Sequence, residues 1–530
     1  MKYNIVVAGG GFAGLYSALC INNILNKSSL NSIEGRGFNI FVIRSKSIGT
    51  VGVGESVTQT LMPRLLEFGV NPKIFFKESK ATLKLSAQFT NWHKPNNSFH
   101  HPLVGSRDLF HIDPKFNDWL ANDNYQYPLV NNIEAESSSL VDSLIEENLV
   151  PFNQDMNPIP MQEWYRMHPI DSYGINFDAS AVIEYLESFI ESTKPNIKLI
   201  EGNIVDWKLH PDTGFVESLI LDNHQKIEGN FYIDCTGFKR LFGNSVYNLK
   251  WKHIDRIPQN TVSLIKDGVK WKSSDKIPLY STLTAMPEGW MFAIPLQHRM
   301  GSGYIHSSDI SDIDDIRQQH INYWLNKGYK NLELGPVLKW SPGYFETPLY
   351  KNVAMIGLAQ GFIDALDSNS LILTSNALDL FLKLWNPLNG FNDYMYKLYN
   401  EERIDSYEWT IDTISYMHQV SNNELKSEYW KYHANAFPKR FKDVYNYMKC
   451  VPITKNTVPL GAPFGLSTLM LFAEKYNLVD MNYVNQDYKL KSQLSNQLGK
   501  EYYNLLEIFN NGLKNDNLID HTTWLNKFIK

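Results

Sequence analysis

The order of apolar and polar residues at the start of the chain predicts a strand, a helix and a second strand. Tyr3–Ala8 is a short apolar run of the kind that forms a buried parallel strand. Phe12–Leu25 has the apolar spacing of a helix, and Phe38–Ile43 is again a short apolar run. A strand, a crossover helix and a further strand form a βαβ unit, so we expect an α/β fold that begins in a Rossmann-like manner.

The rest of the chain alternates between strand-like runs and loops and then becomes mostly helical beyond about Asp393. We predict an α/β class with α+β insertions: a discontinuous domain over residues 1–390, inserted strands and loops around 93–172 and 245–345, and a mostly helical region over 391–530. Further strands are predicted at Ile197–Ile204, Val216–Leu221, Asn230–Asp234 and Asn352–Ile356, and a helix at Ser370–Leu384.

The amino-acid composition argues against several kinds of binding partner and indicates a cellular compartment. Fifty basic against 56 acidic residues leave a net charge of −6, and the absence of a basic block argues against a general binder of nucleic acid or anionic membranes. The chain has only three cysteines, which are far apart and argue against a disulfide framework or a cysteine-ligated zinc site: Cys20, Cys235 and Cys450. No apolar run approaches the roughly 18–20 residues that cross a bilayer, so we expect a cytoplasmic protein.

Three glycines form a G-x-G-x-x-G motif directly after the first strand. Gly9 permits a tight turn, Gly11 lets a pyrophosphate approach the backbone, and Gly14 lets the helix pack closely on the strand. The following helix presents unpaired N–H groups to the phosphates. The motif in this βαβ context predicts a dinucleotide site.

One part of the usual dinucleotide pattern is missing. An acidic residue normally follows the second strand and holds the ribose hydroxyls, but here Ile43 is followed by Arg44 and Ser45. Arg44 has three possible roles, between which the sequence does not decide: it meets a 2′-phosphate, it stacks on adenine, or it faces solvent. Two more glycine motifs, at Gly52–Ser56 and Tyr232–Gly237, suggest a cofactor wrapped by distant segments and favour FAD over NAD(P).

Several further stretches, in one order along the chain, carry a likeness to a known family. The chain resembles flavin-dependent halogenases of the tryptophan halogenase type. Six stretches match the family closely: GGGFAG from Gly9, GVGES from Gly52, LKLSAQFTNW from Leu83, YGINFDA from Tyr173, FYIDCTGF from Phe231 and GWMFAIP from Gly289. A seventh stretch, IGLAQGFIDALDSNS from Ile356, matches more loosely.

The resemblance implies a fold like that of flavin monooxygenases and a reaction that uses FADH2, oxygen and halide. A separate flavin reductase supplies FADH2, hypohalous acid forms at the flavin, and a tunnel leads this oxidant to an electron-rich aromatic substrate. A homo-oligomer is compatible with the resemblance. The cofactor-binding residues that it implies are Gly9, Gly11, Phe12, Ala13, Gly14, Arg44, Gly54, Glu55, Ser56, Val205, Asp234, Gly237, Leu358 and Leu371.

The resemblance also assigns two catalytic residues at the end of the tunnel. By composition alone Lys84 is a surface lysine on a strand, but the match of the flanking Gln88–Trp92 assigns it to the tunnel. Asp367 stands where the family has a glutamate, one methylene longer, and it would orient the oxidant or act as a general base. A helix cap is the alternative role for Asp367, because a helical pattern follows it.

The halide site of the family uses backbone N–H groups that correspond here to Asn369 and Ser370. Ser370 replaces a glycine, so we expect a changed loop shape and a preference for bromide or iodide over chloride.

Trp290, Phe292 and Pro295 belong to the stretch that keeps organic substrates away from the flavin, and Phe292 replaces a second tryptophan. His101 and Leu103 fall where relatives place the walls of the substrate pocket. The neighbouring pair His100 and His101 is weak evidence for a metal, and we predict none.

Two other functions stay open at the level of the sequence. A flavin-dependent aromatic hydroxylase would need neither the barrier at Trp290 nor the lysine at position 84. An inactive flavin-binding protein is compatible with the departures at Arg44, Asp367 and the halide loop.

Overall fold

The computed structural model describes residues 3–27, 37–45, 54–58, 60–103, 142–153, 173–386, 390–436, 464, 466–476 and 518–530. Gly52, Cys450 and most of the predicted insertion around 93–172 lie outside these ranges. None of the described helices is long and apolar enough to cross a membrane. In chain order the described helices are α1 (Phe12–Lys27), α2 (Leu61–Glu67), α3 (Pro72–Glu78), α4 (Asp142–Glu147), α5 (Ala179–Thr193), α6 (Ile313–Asn326), α7 (Asn369–Leu384), α8 (Asp393–Met417), α9 (Glu428–Asn435), α10 (Leu466–Lys475) and α11 (His521–Phe528).

Several sheets are built from short strands, many of them apolar on both faces. The described strands are β1 (Tyr3–Ala8), β2 (Phe38–Arg44), β3 (Gly54–Val57), β4 (Thr82–Lys84), β5 (Ser86–Thr90), β6 (Ser98–Pro102), β7 (Leu149–Asn153), β8 (Gly174–Asp178), β9 (Ile197–Glu201), β10 (Ile204–Leu209), β11 (Val216–Leu221), β12 (Lys226–Glu228), β13 (Phe231–Asp234), β14 (Trp251–His253), β15 (Thr261–Ile265), β16 (Val269–Lys270), β17 (Tyr280–Met286), β18 (Gly289–Pro295), β19 (Arg299–His306), β20 (Leu334–Lys339), β21 (Gly343–Phe345), β22 (Leu349–Tyr350), β23 (Val353–Met355), β24 (Gly361–Phe362) and β25 (Leu518–Asp520).

The predicted βαβ opening is confirmed. β1 and β2 are parallel neighbours in a six-stranded sheet of order β22-β23-β13-β1-β2-β9, in which only β22 runs antiparallel to its neighbour. α1 connects β1 to β2 and packs against both. Strands buried on both faces read as continuous apolar runs, which is why this sheet is visible in the sequence.

One predicted strand is divided in two. The apolar run Ile197–Ile204 leaves the parallel sheet after Glu201, and Ile204 begins β10, which pairs with β11 in a separate sheet. The division lies at Gly202, whose φ of +155° and close approach to Leu221 favour glycine. The single strand was therefore wrong: the polar and glycine residues at 201–203 mark a break between two separate strands.

A second large sheet supplies the wall of the candidate site. Its eight strands follow the order β20-β15-β19-β18-β17-β5-β6, with β16 paired to β19. β18 lies near the middle and β6 at the edge. One side of β5, β6 and β18 is rich in aromatic residues and joins a core that also includes α8, α9 and α10.

A small sheet of order β3-β8-β4 contains both Gly54–Val57, in β3, and Lys84, in β4, and therefore fixes the distance between these two strands. Ser56 of β3 and Thr82 of β4 pair with Asn176 of β8 from opposite sides. Adjacent strands lie about 4.8 Å apart, so β3 and β4 are separated by about 10 Å. Lys84 therefore belongs to a different strand from the segment Gly54–Val57 and lies two strands away from it.

Three hydrogen bonds hold the segment around α10 on α8. Each runs from an aromatic side chain to a backbone carbonyl, so the side chain is both packed and fixed in direction. α10 thereby becomes part of the wall opposite β6. The three bonds are Trp409 Nε1 to Phe464 O (3.0 Å), Tyr416 Oη to Leu469 O (3.0 Å) and Tyr476 Oη to Met417 O (2.7 Å).

Candidate active site

The carboxyl ends of three neighbouring strands meet where the glycine motif lies. β1, β13 and β23 end side by side, since Ala8 pairs with Asp234 and Asp234 pairs with Met355. Gly9 has a φ of +125°, and a side chain there would lie 2.1 Å from the carbonyl oxygen of Cys235. Open α/β sheets bind nucleotides at such an edge.

Gly11 and Gly14 serve different purposes. A side chain at Gly14 would lie 1.9 Å from the carbonyl oxygen of Gly9, so this glycine permits the close packing of α1 on β1. Gly11 is exposed, and a side chain there would meet no atom within 4 Å. Open space beside the first turn of a helix is what a pyrophosphate needs, so the residues at this edge fit FAD.

We expect Gly11→Ala to fold normally and to bind FAD more weakly, because its methyl group would occupy the space of the pyrophosphate. Gly9→Ala and Gly14→Ala would instead fold poorly, because their methyl groups meet backbone atoms. Thermal unfolding without FAD, followed by fluorescence titration with FAD, distinguishes the two classes. An unchanged FAD affinity of Gly11→Ala would contradict this placement of the cofactor.

The side chain of Asp234 holds the loop that follows β13 through hydrogen bonds. Its Oδ1 accepts hydrogen bonds from the backbone N–H (2.9 Å) and the hydroxyl (2.7 Å) of Thr236, and its Oδ2 accepts from the N–H of Phe242 (3.0 Å). The carboxyl is buried, and burial raises its pKa. These contacts position Gly237, which has a φ of +63°, at the edge where the cofactor is expected.

Arg44 is held by acidic neighbours, and its contact with a cofactor stays a prediction. Its guanidinium forms ion pairs with two acidic residues of α5, Glu187 at 2.5 Å and Glu191 at 3.3 Å. Its side chain is 17% exposed, and its Cβ would lie 2.3 Å from a side chain at Gly10. Arg44 therefore joins β2 to α5 beside the glycine motif.

Other predicted cofactor residues surround the same edge. Gly357 begins the short 3₁₀ helix that follows β23, and a Cβ atom at this glycine would lie 3.2 Å from Cβ of Ala13. Leu358 belongs to that 3₁₀ helix, and Leu371 lies in the first turn of α7. Phe12 begins α1 and stacks on Tyr16, with ring centroids 5.6 Å apart.

Val205 lies apart from this group, on β10 of a separate sheet, and is 58% exposed. Its neighbour Ile204 accepts a hydrogen bond from Nζ of Lys239, which follows Gly237 in the chain. This contact brings β10 to the loop after β13.

β3 connects the cofactor edge to the second sheet. A side chain at Gly54 would lie 2.9 Å from Ile294 of β18. Ser56 lies 3.4 Å, between hydroxyl oxygens, from Ser281 of β17. Burial raises the pKa of Glu55 to about 7, so this carboxyl gains or loses a proton near neutrality.

Lys84 ends β4 and is 1% exposed. Its Nζ donates a hydrogen bond to Oγ of Ser368 at 3.0 Å and lies 3.8 Å from Oδ1 of Asp367. Burial lowers the pKa of Lys84, and the charge of Asp367 opposes that effect in part. A lowered pKa makes the neutral amine easier to form than in an exposed lysine, and either form can donate a hydrogen bond to an oxidant.

Asp367 lies between two basic residues. Its Oδ2 is hydrogen-bonded to Nδ1 of His101, whereas its Oδ1 has no hydrogen-bond partner among the described residues. Burial raises the pKa of Asp367, but His101 and Lys84 outweigh it and hold the pKa below its ordinary value. The carboxylate is therefore ionised and presents one uncommitted oxygen beside Lys84.

His101 is joined to a segment that the sequence did not point to. Its Nε2 lies 2.9 Å from Oγ1 of Thr468 on α10, and its ring centroid lies 6.0 Å from that of Phe472. Leu103, the other predicted pocket residue, contacts Gly174 opposite Lys84: a side chain at Gly174 would meet Leu103 at 2.4 Å. Nothing in the local pattern around Thr468 separates it from an ordinary helix residue.

The loop before α7 is left-handed at two residues that are not glycine. Asp367 has φ +50° and Ser368 has φ +64°. Such conformations cost about 1–3 kcal/mol each and recur at functional sites. The sequence predicted an altered loop from the loss of glycine at Ser370, whereas the unusual backbone lies two to three residues earlier.

Asn369 and Ser370, the predicted halide residues, begin α7. The backbone N–H of Asn369 donates to the carbonyl of Leu366, and its side-chain Nδ2 donates to Asp364 O and Leu366 O at 2.7 and 2.8 Å. A halide reaches the N–H of Asn369 only if the first bond opens. Binding by these two N–H groups stays a prediction.

Trp290 is fully buried in the aromatic core, with Phe292 on the same face of β18. The indole of Trp290 lies beside the carboxyl of Asp364, which also accepts from Gln259 Nε2 at 2.7 Å. Burial raises the pKa of Asp364 to about 6. The carbonyl of Pro295, at the end of β18, accepts a hydrogen bond from the hydroxyl of Thr82 at 2.7 Å. This bond joins β18 to β4, the strand that ends with Lys84.

Comparison with known proteins places these motifs in one family. The profile of the tryptophan halogenase family matches residues 4–459. This chain belongs to the tryptophan halogenase family. The family consists of FADH2-dependent halogenating enzymes, so this member is an enzyme that uses reduced flavin and halide, with a separate reductase and an aromatic substrate.

Relatives of this halogenase are distant in sequence and similar in fold. The tryptophan 6-halogenase SttH of Streptomyces toxytricini is 23% identical over 436 residues, which cover 81% of this chain and 80% of the relative. The tryptophan halogenase structure from Shewanella frigidimarina has a TM-score of 0.83 at 21% identity, covering 100% of this chain and 98% of the other. BrvH, a flavin-dependent halogenase from Brevundimonas sp. BAL3, has a TM-score of 0.78 at 18% identity, with both chains covered completely. The predicted monooxygenase-like halogenase fold is confirmed.

Proposed function

We propose that this enzyme halogenates an electron-rich aromatic ring beside Lys84, using hypohalous acid that forms at the flavin edge. The observation that carries the proposal is the buried pair of Lys84 and Asp367, which come from β4 and from the loop before α7. Two charged groups are not buried together without a chemical or structural reason. Lys84 lies on β4, two strands away from Gly54–Val57, whereas the loop of Asp367 contacts β3. In this proposal the oxidant forms at the flavin edge and is used beside Lys84.

FADH2 and oxygen, when bound, supply the oxidising equivalent that converts halide to hypohalous acid. The residues around the glycine motif hold the cofactor, and Trp290 and Phe292 keep the aromatic substrate away from it. Nζ of Lys84 hydrogen-bonds the oxidant and orients its halogen toward the ring. The charge of Ser368 does not change with pH, so its hydroxyl steadies Lys84 in either protonation state.

Asp367 completes the reaction as the base. Halogen adds to the ring carbon as its bond to oxygen breaks, and the hydroxide leaves as water with a proton from the ammonium of Lys84. The ring then loses the proton from that carbon to the uncommitted Oδ1 of Asp367. The electron pair of the C–H bond returns to the ring and restores its aromaticity. The low pKa of Asp367 keeps the carboxylate ready to accept this proton at neutral pH.

The substrate is proposed from the aromatic wall and from the relatives. Phe89, Phe99 and Phe472 lie together in edge-to-face and stacked pairs next to His101. Such a wall favours a flat, electron-rich ring. Relatives are named for tryptophan, so tryptophan or another indole is the first substrate to test, before phenols and pyrroles.

The experiment supplies FADH2 with a separate flavin reductase, in air, and offers tryptophan, indole and phenol with equimolar chloride, bromide and iodide. We expect halide-dependent product and, because Ser370 replaces the glycine of the family, more brominated or iodinated than chlorinated product. Oxygenated product without halogen would indicate a hydroxylase. Peroxide release alone would indicate an inactive flavin-binding protein, and dominant chlorination would refute the halide preference.

A further inference from the structure

The catalytic carboxylate of this enzyme is one methylene shorter than the glutamate of its family and has an unusual set of neighbours. One of its oxygens is bonded to His101, and the opposite nitrogen of that ring is bonded to Thr468. All three residues are buried, with whole-residue exposures of 3%, 8% and 4% for Asp367, His101 and Thr468. The three residues form a continuous chain of carboxylate, imidazole and hydroxyl across three elements.

We infer that His101 and Thr468 are positioning residues that hold Asp367 with Oδ1 alone directed to the reacting carbon. The inference rests on the proposed function, because it concerns the base of that reaction. Carboxylate, imidazole and hydroxyl in this order resemble the arrangement that fixes a histidine tautomer in hydrolases.

The hydrogen-bond roles follow from the charges. Ionised Asp367 only accepts, so Nδ1 of His101 must donate its proton to Oδ2. The inferred chain takes the ring as neutral, so that Nε2 has a lone pair and accepts the hydroxyl proton of Thr468 at 2.9 Å. Thr468 and Asp367 thus stabilise the same tautomer from opposite ends of the ring.

The hydrogen bond to His101 determines which carboxylate oxygen of Asp367 accepts the proton from the substrate. Oδ2 is occupied by His101, whereas Oδ1 has no hydrogen-bond partner in the described ranges and lies 3.8 Å from Nζ of Lys84. The proton lost by the ring therefore goes to Oδ1, on the side where Lys84 holds the oxidant. The side chain of Asp367 is shorter than that of glutamate, so its carboxylate extends less far toward the substrate. Misplacement by about 1 Å can cost about 100-fold in rate. The bond to His101 fixes the rotation of the carboxylate and thereby offsets the shorter side chain.

The environment of Asp367 contains few other titratable groups. Lys84 faces it from β4 and His101 from β6, while α10 contributes the neutral Thr468. Asp364, in the same loop, is directed to Gln259. Because His101 helps to hold the pKa of Asp367 down, its removal should raise that pKa.

The first test needs no flavin or substrate. In protein labelled with ¹⁵N-histidine, the ring of His101 should show a protonated Nδ1 and an Nε2 that accepts a hydrogen bond; His101→Phe identifies the resonances by their loss. Thr468→Val, which keeps the shape without the hydroxyl, should shift Nε2, and Thr468→Ser should restore it. Identical spectra for Thr468→Val and the unaltered protein would refute the chain of hydrogen bonds.

The second test asks whether the chain serves the loss of the ring proton. Tryptophan and indole, each with and without ring deuterium, are halogenated by the unaltered enzyme and by Thr468→Val, Thr468→Ser, His101→Phe and His101→Asn. In His101→Phe we expect kcat to fall by about 100-fold, the acidic limb of its pH profile to move to higher pH, and a primary deuterium isotope effect to appear. Thr468→Val should show the same changes, several-fold smaller, and Thr468→Ser and His101→Asn should reverse them in part.

These readouts separate positioning from a merely structural role. A raised KM with an unchanged acidic limb and no isotope effect would make His101 only a wall of the substrate pocket and refute the inference. If the unaltered enzyme makes no halogenated product, the proposed function fails, and the histidine spectra still decide whether the hydrogen-bond chain exists.

Discussion

Lys84→Ala is expected to lose halogenation of the aromatic substrate by about 100-fold or more while hypohalous acid still forms. In the proposed mechanism the amine at position 84 holds the oxidant next to the ring, and the flavin edge is built from other strands. Halide-dependent chlorination or bromination of monochlorodimedone, which needs no binding site, measures the oxidant. Product analysis with tryptophan or indole measures its use.

Two controls accompany the loss of Lys84. Lys84→Met keeps the length of the side chain without the amine and should be as inactive as Lys84→Ala, whereas an inactive alanine variant alone could reflect a cavity. Lys77→Ala removes an exposed lysine from α3 and should behave like the unaltered enzyme. Full halogenation by Lys84→Met would remove this residue from the mechanism.

Asp367→Asn is expected to lower kcat for halogenation by about 100-fold, because the amide cannot accept the ring proton. Asp367→Glu restores the residue of the family and should keep measurable activity, which makes it the matched control. In Asp367→Asn, Lys84 also loses the charge that opposes its burial, so the pKa of Lys84 should fall further. Activity of Asp367→Asn equal to that of the unaltered enzyme would show that another group accepts the proton.

The same carboxylate makes a pH-dependent contribution to stability. Its folded pKa lies below the unfolded value, so its contribution is present above the unfolded pKa and is lost as the pH falls through the folded pKa. Asp367→Asn should therefore show a smaller loss of Tm than the unaltered protein when the pH is lowered through the acidic range. An equal slope of Tm against pH in both proteins would contradict the ionised state assigned to Asp367.

The cofactor edge was the part most open to prediction. Buried parallel strands are continuous apolar runs, and Gly9, Gly11 and Gly14 follow the first of them at a spacing that is typical of a strand–turn–helix in a βαβ unit. The predicted bounds of β1 agree with the structure, and those of α1 and β2 differ only at their ends. The departure at Arg44 was also visible, but its ion pairs with α5 were not, because that helix lies more than a hundred residues away.

At the catalytic pair, the sequence identified the residues through family motifs and left their partners unknown. Lys84 and Asp367 could be named, yet helix capping remained an alternative for Asp367 until its contacts with Lys84 and His101 were seen. His101 was expected to line a pocket, and the structure adds bonds to both of its ring nitrogens. Thr468 had no signal at all.

By itself, the sequence determined the strand–helix order of the nucleotide edge and the family, and it nominated Lys84 and Asp367 as candidate catalytic residues. Only the tertiary structure decided that Asp367 is paired with His101 and that α10 supplies Thr468. The physical reason is range: periodicity and turn chemistry report on neighbours along the chain, whereas these bonds join residues 266 and 367 positions apart. Such contacts follow from the way sheets and helices pack, and no local pattern records them.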